Sequence, residues 1–151
     1  MSDPHQIHAT CVAIGGQGVL LRGPSGAGKS DLAIRLLDRG ADLVADDRVD
    51  LELRDGCVIA MPPERLAGRI EVRGLGILSV PQASSAPVAM AVDLVDAATP
   101  RLPETRVTDI IGVAVPWMQV RAFDASAAAK IRMALWAQPW QDPDGNDINP
   151  A

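Results

Sequence analysis

Aromatic residues are nearly missing from this 151-residue chain: it has no tyrosine, one phenylalanine and three tryptophans. A core of this composition has to be built from Val, Leu, Ile and Ala, and Trp117, Trp136 and Trp140 all fall in the last third. Also missing is any apolar run approaching the roughly 18–20 residues of a membrane-spanning helix. Met1-Ser2-Asp3-Pro4-His5 lacks the charged-then-apolar pattern of a secretory signal. The expectation is a cytoplasmic chain with no membrane partner. Cysteine is scarce. Cys11 and Cys57 share no metal-ligand spacing and lie in apolar, strand-like segments, so buried free thiols are expected rather than a disulfide. Basic charge is in deficit, with 14 Lys and Arg against 19 Asp and Glu and a net charge of −5. That balance works against non-specific nucleic-acid binding, which depends on cations that neutralise phosphates, and leaves small molecules or another protein as partners.

What is present stands out against this background. Gly23-Pro24-Ser25-Gly26-Ala27-Gly28-Lys29-Ser30 is an unbroken G-x-x-x-x-G-K-[ST] motif. Its glycines let backbone N–H groups turn inward around a polyphosphate, its lysine reaches the β/γ-phosphates, and its serine hydroxyl can ligate magnesium. The flanks have the required order. Val19 to Arg22 is a short apolar run suited to a buried strand. From Ser30 to Arg39 the apolar residues at 32, 33, 36 and 37 recur like one helix face, and Gly40 follows as a stop. The helix N-terminus adds partial positive charge to the cradle.

The length allows one domain with one sizeable core; the expected organisation is a domain over residues 1–138 and a turn-rich, poorly ordered tail over 139–151. After a polar leader, His8–Ile14 and Gln17–Arg22 read as strands of a hairpin turning at Gly15-Gly16, and Asp42–Ala45 as a short strand after the helix. Val49–Leu53 and Cys57–Ala60 flank Arg54-Asp55-Gly56, a strong hairpin signal. Ile70–Val80 is strand-like around Gly74 and Gly76, which suggest a tight loop. Val88–Val95 and Thr105–Val115 read as further strands. Ser126–Gln138 reads as a helix with Ser126 as N-cap and Ile131, Leu135 and Gln138 along one side. Many short strands and two helices predict an α/β domain with mainly mixed or antiparallel sheet, and no regular βαβ repeat.

Phosphoryl transfer requires carboxylates beside the cradle. Asp46 and Asp47 follow the strand after the helix, where one could accept a hydroxyl proton and the other orient a metal-bound water. Ala45 to Arg48 is also ordinary turn chemistry, so the pair alone does not decide. Glu71 and Arg73, as alternate strand residues, would share a face as metal ligand and phosphate contact; a surface ion pair is the plainer reading of those two residues. Arg65 and Arg69 could make the rim positive or be solvated. His8 starts the strand leading to the hairpin, whereas His5 lies in the leader. Asp142-Pro143-Asp144-Gly145-Asn146-Asp147 lacks the terminal glutamate of a calcium loop and reads as a turn.

Together these segments resemble the C-terminal catalytic domain of bacterial HPr kinase/phosphorylase. The resemblance rests on His8, the phosphate loop Gly23–Ser30, Leu43-Val44-Ala45-Asp46-Asp47, and Ile70-Glu71-Val72-Arg73-Gly74-Leu75-Gly76-Ile77, close to the family's E-I-R-G-L-G-I signature. It runs from about His8 to the last helix and is densest up to Val80. It implies a phosphoenolpyruvate carboxykinase-like P-loop fold and an ATP- and magnesium-dependent kinase acting on a serine of an HPr-like phosphocarrier protein. It further implies Lys29 and the loop on the nucleotide phosphates, Ser30 and Glu71 on magnesium, Asp46 as the base, Asp47 and His8 supporting it, and Arg73 on phosphate or acceptor. Homo-oligomer formation is compatible with it. The chain looks like a short form without the family's N-terminal domain, and with a truncated C-terminal helical extension. The family's V-R-P-G-R-N loop is replaced by Val120-Arg121-Ala122-Phe123-Asp124-Ala125, which favours the kinase direction over the phosphate-using reverse. The alternatives are a small-metabolite kinase on the same scaffold and a nucleotide-sensing module, for which a base would be superfluous.

Overall fold

The structure, a computed structural model, describes residues 5–101, 106–137 and 140–146. Along the chain run β1 (His5–Ile7), β2 (Thr10–Ile14), β3 (Gln17–Arg22), α1 (Lys29–Asp38), β4 (Asp42–Ala45), β5 (Val49–Arg54) and β6 (Cys57–Met61). After a short 3-10 turn come β7 (Arg69–Val72), β8 (Gly76–Ser79), β9 (Ala86–Leu94), β10 (Val107–Ile110), β11 (Val113–Val120) and α2 (Ala127–Trp136). Among the described residues, nine strands form one mixed sheet in the order β1-β5-β6-β9-β3-β2-β4, with β11 beside β9 and β10 beyond it; β7 and β8 make a separate two-stranded sheet.

The long strand β9 is the hub. Ala86 and Pro87 pair antiparallel with β6, and the rest of the strand runs parallel to β3 on one side and to β11 on the other. Gly18 makes this possible at the start of β3: a Cβ there would sit 2.8 Å from the Pro87 carbonyl oxygen, and the register shifts between Gly18 and Val19. Because β2 is antiparallel to both β3 and β4, the end of β4 lies at the same sheet edge as the ends of β3, β9 and β11. Loops leaving β3, β4 and β11 converge on one cavity there, the usual place for a ligand beside parallel strands.

Period-two alternation splits the core between the two sheet faces. Val12, Val19, Leu21, Met90 and Val92 pack with Leu32, Ala33 and Leu36 of α1 and Ile131 of α2. Their neighbours Cys11, Ala13, Leu20 and Ala91 face the other way, against Val49, Leu51, Val58 and Val115. Each fully buried Leu contributes about 1.5–3 kcal/mol through water removed from its surface, so a core without buried aromatic rings suffices. Burial pushes the Cys11 thiol up to about 12, a backbone hydrogen bond from Val19 offsetting part of the rise.

Several expectations need correction. The leader is structured from His5, which opens the edge strand β1 paired with β5; His8 falls between β1 and β2 rather than on a strand. The segment expected as one strand over 105–115 is a hairpin, β10 and β11, turning at Ile111-Gly112 with φ of 41° and 88°; Thr105 lies outside the described residues. Ile is the wrong residue for a positive φ, so the usual turn signal is missing. Ser126 makes no side-chain cap bond to α2; Gln138 is outside the described residues. Cys57 is exposed at the start of β6. Arg65 and Arg69 are exposed. At Asp142 the carboxylate accepts the amides of Asp144 and Asn146, a turn as read from the sequence.

Candidate active site

The phosphate loop leaves β3 at Gly23 and enters α1 at Lys29. The Ala27 amide donates to the Pro24 carbonyl at 3.0 Å, and the Leu32 amide donates to the Gly28 carbonyl at 2.9 Å, the first bond of the helix. Gly28 occupies the N-cap with φ 100°, a left-handed conformation that favours glycine. Lys29 is 7% exposed; its Nζ donates to the carbonyls of Gly23 at 2.7 Å and Pro24 at 3.1 Å, so a buried cation is satisfied by its own loop. At the base of the loop, Arg22 donates from Nε and Nη2 to the two Asp93 oxygens at 2.7 and 3.2 Å, and Trp117 Nε1 donates to the same carboxylate at 2.9 Å. This clamp joins β3, β9 and β11 directly under the loop.

Asp46 sits one residue beyond β4. Its Oδ1 accepts the Ser30 hydroxyl at 3.0 Å and the Thr10 hydroxyl at 3.1 Å. Asp47 turns away: its backbone has φ 69°, its amide donates to Thr10 Oγ1 at 3.2 Å, and its Oδ1 meets His8 Nε2 at 2.5 Å, where an imidazole N–H donates. The two adjacent carboxylates therefore have different partners. His8 and Asp47 are 45% and 61% exposed at the side chain, so water screens their pair.

Thr10, Asp46, Asp47, the loop residues Ser25, Gly26, Gly28, Lys29 and Ser30, and Glu71 and Arg73 all line one cavity of about 800 Å³. Every residue singled out as catalytic or metal-binding from the sequence except His8 lines it; His8 joins through Asp47. Pro24 and Gly23 take part through the carbonyls that hold Lys29. Glu71 lies on β7, but Arg73 lies past its end, in the turn before Gly74 and Gly76, with both glycines at positive φ. The shared strand face expected for Glu71 and Arg73 is thus a strand end and a turn, which still reach the same cavity.

Among the described residues no three His, Cys, Asp or Glu side chains are gathered closely enough to hold a metal ion by themselves. Magnesium that travels with a polyphosphate uses one or two carboxylates and a hydroxyl from the protein and takes the rest from phosphate and water. Ser30 and Glu71, a hydroxyl and a carboxylate lining the same cavity, are groups of that kind. Five cavity-lining residues were not singled out from the sequence: Asp31, Ile34 and Val72, together with Thr10, an ordinary strand residue until Asp46 is placed beside it, and Phe123, which enters from the loop between β11 and α2. Among the described residues no helix is long and apolar enough to cross a membrane.

Comparison with known proteins places this geometry. Residues 1–134 match the family described as HPr Serine kinase C-terminal domain. An HPr kinase/phosphorylase of Clostridium botulinum is 43% identical over 77 residues, 51% of this chain and 25% of the relative. That of Clostridium tetani is 46% identical over 76 residues, 50% and 25% of the respective lengths. The aligned stretch thus spans about a quarter of the length of these curated relatives. The solved structure of the Hpr(Ser) kinase/phosphatase from Coxiella burnetii superposes with a TM-score of 0.75 at 29% identity, covering 87% of this chain and 93% of that one. The two chains share the mixed α/β fold described above, and this chain belongs to the HPr serine kinase C-terminal domain family.

Proposed function

We propose that the protein is an ATP- and magnesium-dependent kinase that phosphorylates a serine of an HPr-like phosphocarrier protein in the cytoplasm, on a carboxykinase-like phosphate-loop scaffold. The observation that carries this reading is the Asp46 carboxylate held by Ser30 within the phosphate cradle, since a base fixed at the γ-phosphate end is what transfer needs and mere nucleotide sensing does not. Membership of the family supports the choice of acceptor.

In this reading the backbone amides of Gly26 to Ser30 and the Lys29 ammonium hold the nucleotide phosphates, Lys29 exchanging its carbonyl partners for phosphate oxygens. Magnesium, held by Ser30 and Glu71, would neutralise charge on the phosphates. Asp46 takes the proton of the acceptor serine; the serine oxygen forms a bond to the γ-phosphorus as the bond to the β,γ-bridging oxygen breaks, and ADP leaves. Asp47 and His8 hold the far side of the Asp46 turn, and Arg73 meets phosphate or acceptor. Phosphorolysis would run transfer in the other direction: an oxygen of inorganic phosphate, in place of ADP, bonds to the phosphoserine phosphorus as the bond to the serine oxygen breaks, Asp46 returns the proton to that oxygen, and pyrophosphate leaves.

The test is incubation with HPr, magnesium and labelled ATP, scored for phosphoserine, with Asp46→Asn and Lys29→Ala in parallel. Asp46→Asn is expected to lower kcat by about 10²–10⁴-fold with little change in ATP affinity, while Lys29→Ala weakens ATP binding itself. Label in the small-molecule fraction instead of HPr would transfer the assignment to a metabolite kinase. Wild-type rates from Asp46→Asn would remove Asp46 as the base.

A further inference from the structure

We propose that Phe123 is a base-stacking residue, the aromatic platform against which the base of a nucleoside triphosphate rests when its phosphates occupy the Gly23–Ser30 loop. The proposal rests on the phosphate-cradle reading above and adds to it how the nucleoside end is recognised.

Phe123 is 71% exposed although it is the one phenylalanine of a chain poor in aromatic residues. Leaving an aromatic ring in water forgoes the gain of burying it, so its position calls for a use. The position is specific. A Cβ built on Gly28 would lie 2.9 Å from Ala122 Cβ and 3.0 Å from Phe123 Cζ, which puts the ring edge against the N-cap of α1 and leaves ring surface open to the cavity.

The ring is also held in place. Arg35, four residues past Asp31 on α1 and paired with it at 3.1 Å, donates to the Ala122 carbonyl and, at 3.1 Å, to the Asp124 carbonyl. Those are the two carbonyls flanking Phe123 in sequence. The loop closes on itself through the Asp124 amide, which donates to the Arg121 carbonyl at 3.0 Å. A side chain exposed on a pinned loop is presented rather than merely mobile.

Its direction of entry completes the case. The charged cavity residues Asp46 and Asp47 come from the turn after β4, and Glu71 and Arg73 from β7 and the turn that follows it, whereas Phe123 comes from the loop after β11, a strand across β9 from the phosphate-loop strand β3. With the phosphates and their charge partners accounted for, what is left of an ATP molecule is an aromatic base and a sugar. Among the described cavity residues Phe123 is the one with an aromatic face to offer. Stacking needs no base-specific hydrogen bond, so the ring would favour nucleotides over inorganic polyphosphate without demanding adenine.

Calorimetric titration with magnesium ATP and with magnesium tripolyphosphate tests this on the wild type, Phe123→Ala, Phe123→Leu and Phe123→Tyr. Phe123→Ala is expected to weaken ATP about tenfold and to leave tripolyphosphate within about twofold. Phe123→Leu, which keeps bulk against Gly28 without an aromatic face, should follow Phe123→Ala, and Phe123→Tyr should keep wild-type ATP affinity. Equal weakening of both ligands would make the ring a packing prop for the loop and overturn the proposal. Unchanged ATP affinity would also overturn it, including the case in which only the KM for the acceptor protein rises. Wild-type binding of tripolyphosphate without any preference for ATP sinks the stacking role and spares the cradle; binding of neither ligand sinks both.

Discussion

Thr10 is fully buried and, with Lys29, one of two buried polar or charged residues among those described; both are at the site. Its hydroxyl spends its proton on Asp46 Oδ1 and accepts the Asp47 amide, so one side chain positions the carboxylate of the first aspartate and the backbone of the second. Asp47 needs that help because a non-glycine residue at φ 69° is strained. Thr10→Val keeps the shape and removes both bonds. It is expected to lower the transfer rate by about tenfold or more with KM for ATP unchanged, and to cost about 1–3 kcal/mol of stability for the orphaned partners; Thr10→Ser should restore the rate. Steady-state kinetics beside urea unfolding reads both effects, and a wild-type kcat in Thr10→Val removes the positioning role. Lys29 and Ser30 were legible as cavity residues because the phosphate-loop spacing is local, and Asp46 only with the family resemblance, since Asp46-Asp47 alone also fits a turn. Thr10 and Phe123 were not, since each acquires its role from a partner in a distant segment.

Among the described elements, the β7–β8 hairpin stands apart from the main sheet. It is a two-stranded sheet of its own, closed by the Val80 amide on the Gly68 carbonyl and anchored by the buried Ile70 and, just past β8, by the Leu43 amide on the Pro81 carbonyl, while Leu75 and Ile77 are 71% and 66% exposed. An isolated two-stranded hairpin is marginal in water, and amides in such units open well below the global unfolding free energy. Hydrogen exchange should therefore proceed at Glu71, Val72 and Ile77 well before β3 and β9; protection equal to that of β3 would show the hairpin to be part of the central unit. Element boundaries followed the sequence where turn chemistry was explicit, as at Gly15-Gly16 and Asp55-Gly56. They failed at Ile111-Gly112, where a β-branched residue takes a positive φ and tertiary pairing of β10 with β11 overrides local preference.

For the molecule as a whole, Cys11 links folding to alkaline pH. In the unfolded chain its thiol ionises around its ordinary value of 9.0, whereas in the folded protein burial delays ionisation to about 12. Across that window the native state binds the extra proton, so stability falls as pH rises. Urea midpoints measured from pH 8 upward should decline for the wild type and decline less for Cys11→Ala; parallel curves would assign the loss to other groups. Read without its fold, the chain determined its phosphate loop, its helix and the alternation of its strands, because each follows from backbone chemistry or periodicity over a few residues. Tertiary structure alone decided that β9 runs between β3 and β11 in parallel, bringing Arg22 onto Asp93 from 71 residues away and the loop carrying Phe123 onto Gly28. Parallel pairing joins strands through long crossovers whose partners no local signal names, so the cavity's charged residues could be put forward from local motifs and the family resemblance, while Phe123 and the Thr10 hydroxyl on Asp46 emerged only with the packing of the sheet.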